Sequence, residues 1–144
     1  MSRVKIKFPD EKPLFTATIP VRISDINYGA HLGHDAVLSI VHEARMQMLR
    51  TWGWDELRAG GVALIMADVM IAYKGEAFYG DVLKVSVYSN EIMPKSFDLL
   101  YDVTLAASDK TIAHAKTGMA CYDYTIRKIA TLSEELKKRL ERHG

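Results

Sequence analysis

The sequence predicts an α+β fold in which a five-stranded antiparallel sheet is wrapped around one long central helix, with a second helix at the C-terminus. Three observations predict it: a single helical apolar pattern before residue 53, four strand-like apolar runs after residue 63, and short turns between the last three runs. At 144 residues the chain fits one domain, residues 1–144. A domain of this size buries roughly 70% of the surface of its unfolded chain.

The long helix is predicted from apolar residues that recur at offsets of three and four between residues 36 and 52. They are Val37, Leu38, Val41, Ala44, Met48, Leu49 and Trp52. Ile40 and Met46 widen this apolar face, so we expect the sheet to cover the helix on most sides. Gly53 is expected to end the helix, and Asp35 to cap its start by accepting a hydrogen bond from an N–H of the first turn.

The strands are predicted from period-two alternation and β-branched residues. The first strand lies at an edge of the sheet or contains a bulge, because Pro20 removes one hydrogen-bond donor, and Gly118 marks a second candidate bulge. The last three strands form an antiparallel meander. The predicted strands cover residues 14–23, 64–74, 82–92, 97–107 and 111–125.

Both ends of the chain carry weaker signals. Val4, Ile6 and Phe8 alternate with charged residues, which is typical of a short edge strand. Thr131 and Glu134 have the spacing of a capping box, which predicts a charged surface helix over the last residues. One sheet around one helix leaves its edges exposed, so we expect a homodimer with a continuous sheet, in which dimers can pair further into tetramers.

Composition narrows the function classes. Nineteen basic and eighteen acidic residues leave a net charge of +1, which gives no extended field for a nucleic-acid backbone. The single cysteine, Cys121, excludes an internal disulfide, and no His/Cys cluster has the spacing of a metal site. The charged N-terminus lacks a signal-peptide core, and no apolar run reaches the ~20 residues of a membrane span. We therefore expect a cytoplasmic protein that does not bind nucleic acid.

The segment from residue 24 to residue 35 concentrates polar groups directly before the helix. It holds Ser24, Asp25, Asn27, Tyr28, His31, His34 and Asp35. Each residue on its own is typical of turns and helix caps. Together they lie beside the unpaired amides of a helix start, where an oxygen that gains negative charge is stabilised. The segment is therefore a candidate active site.

The same segment resembles a known family. The run from Asp25 to His34, DINYGAHLGH, and the later Glu43-Ala44-Arg45 resemble the motifs of hot-dog-fold acyl-CoA thioesterases of the 4-hydroxybenzoyl-CoA thioesterase type. Residues 73–83 and 118–123 resemble two later blocks of that family, and the resemblance spans roughly residues 14–125. It implies a hot-dog fold and hydrolysis of an acyl-CoA, with coenzyme A as part of the substrate and no further cofactor or metal.

The resemblance implies roles for individual residues. The backbone amides of Gly33, His34 and Asp35 would form the oxyanion hole. The catalytic aspartate of the family falls on Asn27, whose amide is no base and would instead orient water or substrate. Glu43 is the first alternative base if the helix buries it, although it can equally pair with Arg45 or with an arginine of a partner chain.

Further site residues follow from position. Asp25 is the second alternative base, and His31 is either a proton shuttle or a structural histidine. Asp68, in an otherwise apolar strand, faces a pocket or a dimer seam. The aromatic residues Tyr28 and Tyr73 would line the acyl pocket or the core, and Lys74 would meet the phosphates of coenzyme A or be solvated.

Two other functions fit parts of the pattern. Asp25, Asn27 and His31 also resemble the motif of hot-dog (R)-specific enoyl-CoA hydratases, with Tyr28 in place of a proline and one extra residue before the histidine. The replacement of the family aspartate by Asn27 is also compatible with a protein that binds acyl thioesters without hydrolysing them.

Overall fold

The computed structural model describes residues 3–141, so residues 1, 2 and 142–144 of the predicted domain lie outside the described residues. One turn of 3-10 helix, Ile23–Asp25, joins the first strand to the first helix. The elements are β1 (Phe15–Pro20), α1 (His34–Thr51), β2 (Ala63–Tyr73), β3 (Val82–Asn90), β4 (Ser96–Leu105), β5 (Thr111–Asp123), β6 (Lys128–Ile129) and α2 (Glu134–Leu140).

The sheet is antiparallel, in the order β1-β3-β4-β5-β2. The α+β class and the β3-β4-β5 meander are therefore confirmed. The short β6, which pairs with the end of β5, was not predicted. Because the order places β1 and β2 at opposite edges, Pro20 lies on an edge strand as the sequence predicts. Along residues 3–141, no helix has both the length and the hydropathy needed to cross a membrane.

Helix α1 begins two residues earlier than its apolar pattern. Gly33 is the N-cap residue in extended backbone (φ −71°, ψ 152°), and no side chain caps the helix. The prediction that Asp35 caps the start is wrong, since Asp35 lies within the first turn. At the other end Gly53 has φ +82°, a conformation that favours glycine, and the helix ends there as predicted.

The two faces of α1 differ in burial. Val41 and Ala44 are fully buried against the sheet, and the helix packs on β1 and β3. Leu38 is 37% exposed, and His42 and Glu43 are also exposed. The predicted enclosure on most sides is therefore not found within this chain, because polar side chains interrupt the apolar face once per turn.

The two ends of the chain also differ from their predictions. Ser133, not Thr131, caps α2 by accepting a hydrogen bond from the N–H of Leu136 (3.1 Å). Leu136 and Leu140 are buried, so one face of α2 belongs to the core. Residues 3–13 form no strand. Instead, the ring of Phe8 packs against two side chains of the sheet.

Candidate functional site

Asp25 anchors the loop that precedes α1. Its carboxylate is 95% buried and accepts hydrogen bonds from the N–H of Arg22 (2.8 Å) and from the Arg22 guanidinium (3.3 and 3.4 Å). Its backbone carbonyl accepts the N–H of Gly33 (2.8 Å). The segment that ends at Asp25 is a 3-10 turn. Asp25 therefore fixes the loop, and its carboxylate is already engaged.

The middle of the loop orients His31. The Asn27 side-chain oxygen accepts the N–H of Gly29 (2.9 Å), and His31 Nδ1 lies 3.1 Å from the carbonyl oxygen of Leu32. Because a carbonyl has no proton to donate, Nδ1 carries the hydrogen, and Nε2 of the neutral ring keeps a free lone pair. A Cβ at Gly29 would lie 3.0 Å from Nε2, so glycine at this position leaves Nε2 uncovered.

The helix start offers two of the three predicted amides. The N–H of Gly33 donates to Asp25, so the assignment of Gly33 to the oxyanion hole is wrong. The N–H groups of His34 and Asp35 belong to the first turn, where no intrahelical carbonyl is available. Within residues 3–141 neither has a hydrogen-bond acceptor. They are the donors that remain for a ligand oxygen.

A cavity of about 100 Å³, here called the helix-start cavity, lies beside His34. Tyr73 forms one wall, since its ring lies 4.2 Å from the His34 ring and its hydroxyl donates to the His34 carbonyl (3.0 Å). The lining is apolar except for two histidines, one tyrosine and one carboxylate. The lining residues are His31, Leu32, His34, Val37, Tyr73, Gly75, Glu76 and Ile112.

The comparisons with known proteins identify the family of this chain. Residues 21–140 match the family model of the thioesterase-like superfamily. The chain belongs to the thioesterase-like superfamily. This confirms the resemblance found in the loop and in the helix of the sequence.

Three similar proteins illustrate this family. The chain is 25% identical to long-chain acyl-CoA thioesterase FadM of Escherichia coli K12, covering 85% of this chain and 94% of FadM. It is 28% identical to 1,4-dihydroxy-2-naphthoyl-CoA hydrolase of Nostoc punctiforme, covering 88% and 86%. Its fold is similar to that of Slr0204, a 1,4-dihydroxy-2-naphthoyl-CoA thioesterase from Synechocystis (TM-score 0.79, 23% identity, covering 88% and 94%).

Glu76 lines the helix-start cavity, although the sequence did not predict it as a site residue. It lies in the loop after β2, and the neighbouring Ala77 accepts the N–H of Leu32 (2.7 Å), which draws the loop against the helix start. A loop carboxylate between a glycine and an alanine has no local signal that separates it from a solvated one. Only the pairing of two distant loops brings it to the cavity.

Glu43 lies elsewhere. Its side chain is exposed and accepts a hydrogen bond from Gln47 (2.7 Å). It lines a separate cavity of about 330 Å³ between α1 and β1, with Arg22 and Ile19. The expected burial of Glu43 is therefore wrong, and so is its expected pairing with Arg45 within the chain.

Arg45 instead belongs to a buried polar network that connects α1, the sheet and the segment after the helix. Its Nε donates to Glu56 Oε2 (3.1 Å) and its Nη1 to the Tyr101 hydroxyl (3.1 Å). The other Glu56 oxygen lies 2.6 Å from His42 Nε2, and the Tyr101 hydroxyl lies 2.7 Å from Thr117 Oγ1. Burial raises the pKa of Tyr101 despite the nearby guanidinium, so the hydroxyl stays protonated at neutral pH.

The remaining predicted residues lie outside the cavity. Tyr28 is fully exposed. Asp68, at a bulge in β2, is exposed and lies directly over Gly118 of β5, so the irregularity predicted at Gly118 is found in the strand opposite it. Lys74 lies near His114, where burial and then the charge of Lys74 lower the pKa of His114 although Asp102 opposes them. Within residues 3–141 no three His, Cys, Asp or Glu side chains are grouped closely enough to hold a metal ion.

Proposed function

We propose that this chain hydrolyses acyl thioesters of coenzyme A to the free acid and coenzyme A, at the start of α1. One observation carries the proposal: the amides of His34 and Asp35 have no acceptor within residues 3–141, and His34 lines a cavity together with His31 and Glu76. The named activities of FadM and of the naphthoyl-CoA hydrolase support the choice of a coenzyme A thioester.

The amides would stabilise the transition state. The thioester carbonyl oxygen gains negative charge as water attacks the carbonyl carbon, and the two N–H groups donate to it. One such donor is typically worth about 10²- to 10³-fold in kcat. The positive end of the helix dipole adds to this effect.

The base is assigned to His31. Its Nε2 takes a proton from the attacking water, which forms a tetrahedral intermediate. The carbon–sulfur bond then breaks, and the imidazolium returns the proton to the sulfur of coenzyme A. Glu76, which lines the same cavity, stabilises the imidazolium between these steps. This step needs no cofactor, since coenzyme A enters only as part of the substrate.

We also propose that the chain acts as a homodimer joined along β2. This strand is an edge of the sheet, is 11 residues long, and presents side chains that are 38–41% exposed. They are Met66, Val69, Met70 and Tyr73. A long apolar edge of this kind pairs readily with a second copy. Light scattering of Met70→Lys should give a monomer, and a dimer of unchanged mass would contradict this assembly.

Steady-state kinetics with a panel of short, long and aromatic acyl-CoAs test the function. We expect turnover of at least one of them and a loss of about 10²- to 10⁴-fold in kcat for His31→Gln. Glu76→Gln should lose less, because it acts through the imidazolium. No turnover on the whole panel would refute hydrolysis. A larger loss in Glu43→Gln than in His31→Gln would refute the choice of base.

Hydration of an enoyl-CoA has weaker support. That reaction needs Asp25 and His31 to act on one water, whereas the Asp25 carboxylate is held by Arg22 and His31 lines the helix-start cavity. Formation of a hydroxyacyl-CoA from crotonyl-CoA would favour the hydratase instead.

A further inference from the structure

Tyr73, the last residue of β2, reaches from the sheet to the first turn of α1. Its hydroxyl donates to the backbone carbonyl of His34 at 3.0 Å, and its ring lies 4.2 Å from the His34 ring. The sheet holds the backbone at this point, because Tyr73 pairs with Ala113 and the N–H of the next residue, Lys74, donates to the carbonyl of Ile112 (2.9 Å). The hydroxyl therefore approaches the helix from a fixed position.

The acceptor of this hydrogen bond belongs to the peptide group that carries one of the proposed oxyanion donors. The carbonyl of His34 and the N–H of Asp35 are the two ends of one planar peptide group. In the hydrogen-bond pattern of an α-helix the same carbonyl accepts from Leu38, four residues further on. A carbonyl oxygen has two lone pairs, so the Tyr73 hydroxyl is a second donor to this oxygen.

A hydrogen bond at one end of a peptide group strengthens the other end. Donation to the carbonyl draws electron density toward the oxygen and leaves the N–H more positive, and such polarisation strengthens a neighbouring hydrogen bond by about 10–30%. It also fixes the plane of the peptide group, and with it the direction of the Asp35 N–H. This N–H has no acceptor within residues 3–141, so the added strength is available to a bound oxygen.

We propose that Tyr73 is a positioning residue for the hydrolysis, which polarises and orients the Asp35 amide through the carbonyl of His34. The inference rests on the proposed function and adds to it a residue that acts without contacting the substrate. The phenol proton points to the His34 carbonyl, so Tyr73 acts through the peptide group and not as an acid. This role needs no open surface and is compatible with the position of Tyr73 on the edge that we assign to the dimer.

Tyr73→Phe isolates the hydroxyl, because it keeps the ring beside His34. One oxyanion donor typically contributes about 10²- to 10³-fold in kcat, and about 10–30% of this on a logarithmic scale is about two- to eightfold. We expect a loss of this size in kcat at an almost unchanged KM, since the ground-state carbonyl carries less charge than the transition state. A smaller loss would overturn the inference. A loss that reaches the roughly 100-fold typical of a proton-transferring group would overturn it too, because Tyr73 would then act on the substrate itself.

Tyr124→Phe is the matched control. Tyr124 is 56% exposed and lies just beyond the end of β5, whereas Tyr73 pairs with Ala113 near the start of β5. Loss of this hydroxyl should leave kcat and KM unchanged. The Tm and the particle mass from light scattering should be the same for both variants and the wild-type chain. A smaller mass for Tyr73→Phe would attribute its lower kcat to the assembly and would contradict the inference.

Infrared spectroscopy of a bound thioester reports on the amide at the substrate itself. In His31→Gln turnover is slow, so an acyl-CoA with an isotope-labelled thioester carbonyl can be observed in the site. Its carbonyl stretch should move to higher wavenumber when Tyr73→Phe is added, because a weaker donor polarises the carbonyl less. A role of Tyr73 in folding alone predicts no change in this band, and an unmoved band would refute the inference.

A measurement without substrate separates this inference from the proposed reaction. In nuclear magnetic resonance spectra of the ligand-free chain, the amide nitrogen and proton of Asp35 should move upfield in Tyr73→Phe and stay in place in Tyr124→Phe. If no acyl-CoA is hydrolysed and this shift is found, the proposed reaction fails while the polarised amide is supported. Turnover of an acyl-CoA together with an unmoved Asp35 amide would refute the inference alone.

Discussion

The Tyr101 hydroxyl offers a direct test of the buried network. It is fully buried and makes two hydrogen bonds, at 3.1 Å to Arg45 Nη1 and at 2.7 Å to Thr117 Oγ1. Tyr101→Phe leaves both partners short of one bond, and each unsatisfied buried group costs about 1–3 kcal/mol. We therefore expect a loss of about 3 kcal/mol in the free energy of unfolding. For a chain of this length that lowers the Tm by roughly 6–12 °C.

Urea unfolding measures this loss, with a constant m-value as the sign of a change in stability alone. Thr117→Val removes only one partner and should cost about 1 kcal/mol. The double variant should lose about 1 kcal/mol less than the sum of the two single losses, because the valine at position 117 has no hydroxyl that is left without a partner. Tyr79→Phe, at a side chain that is 66% exposed, is the matched control and should change little. A loss below about 1 kcal/mol in Tyr101→Phe, or strict additivity, would refute the network.

Three further predictions concern the loop, a histidine and the cysteine. Gly29→Ala places a Cβ 3.0 Å from His31 Nε2 and should lower kcat by up to about 100-fold at an almost unchanged Tm, while equal kcat values would contradict the role of Nε2. Burial lowers the pKa of His114 below 6.5 against the opposing charge of Asp102 and with a smaller contribution from Lys74, so the folded chain binds this proton less readily than the unfolded chain. This contribution to stability should therefore be full above pH 6.5 and be lost as the pH decreases through the lowered pKa. The urea midpoint should fall less steeply at acid pH in His114→Gln than in the wild-type chain. An equal fall in both chains would count against this role of His114. Burial raises the pKa of Cys121 to about 11, so iodoacetamide should label it at pH 8 only as the chain unfolds, and rapid labelling of the native chain would disprove its burial.

Local chemistry explains which parts of the fold were predictable. Gly53 ends α1 because its positive φ favours glycine, and Pro20 lies on an edge strand because it lacks an N–H. The β3-β4-β5 meander follows from the short connections between its strands. Each of these features depends on residues that are close together in the sequence.

The candidate site was less predictable, because its geometry depends on distant contacts. An apolar pattern locates a helix, but it does not tell how far round the helix the sheet extends. Glu43 and Arg45 are two residues apart and thus on different sides of α1, so one is exposed and the other is buried. The partner of Arg45 is Glu56, in a segment beyond the helix, and Glu76 reaches the cavity only when its loop pairs with the loop before α1.

The segment before β1 has a consequence for how this molecule behaves in solution. The Phe8 ring lies 5.3 Å from the Tyr88 ring and 4.8 Å from the His114 ring, on the side of the sheet that faces away from α1. Leu100 lies on that side as well and is only 1% exposed. An irregular arm of a few residues thereby covers part of this side of the sheet. A chain trimmed beyond Phe8 would uncover the rings of Tyr88 and His114, and its solubility should fall while the helix-start cavity, on the α1 side of the sheet, keeps its shape.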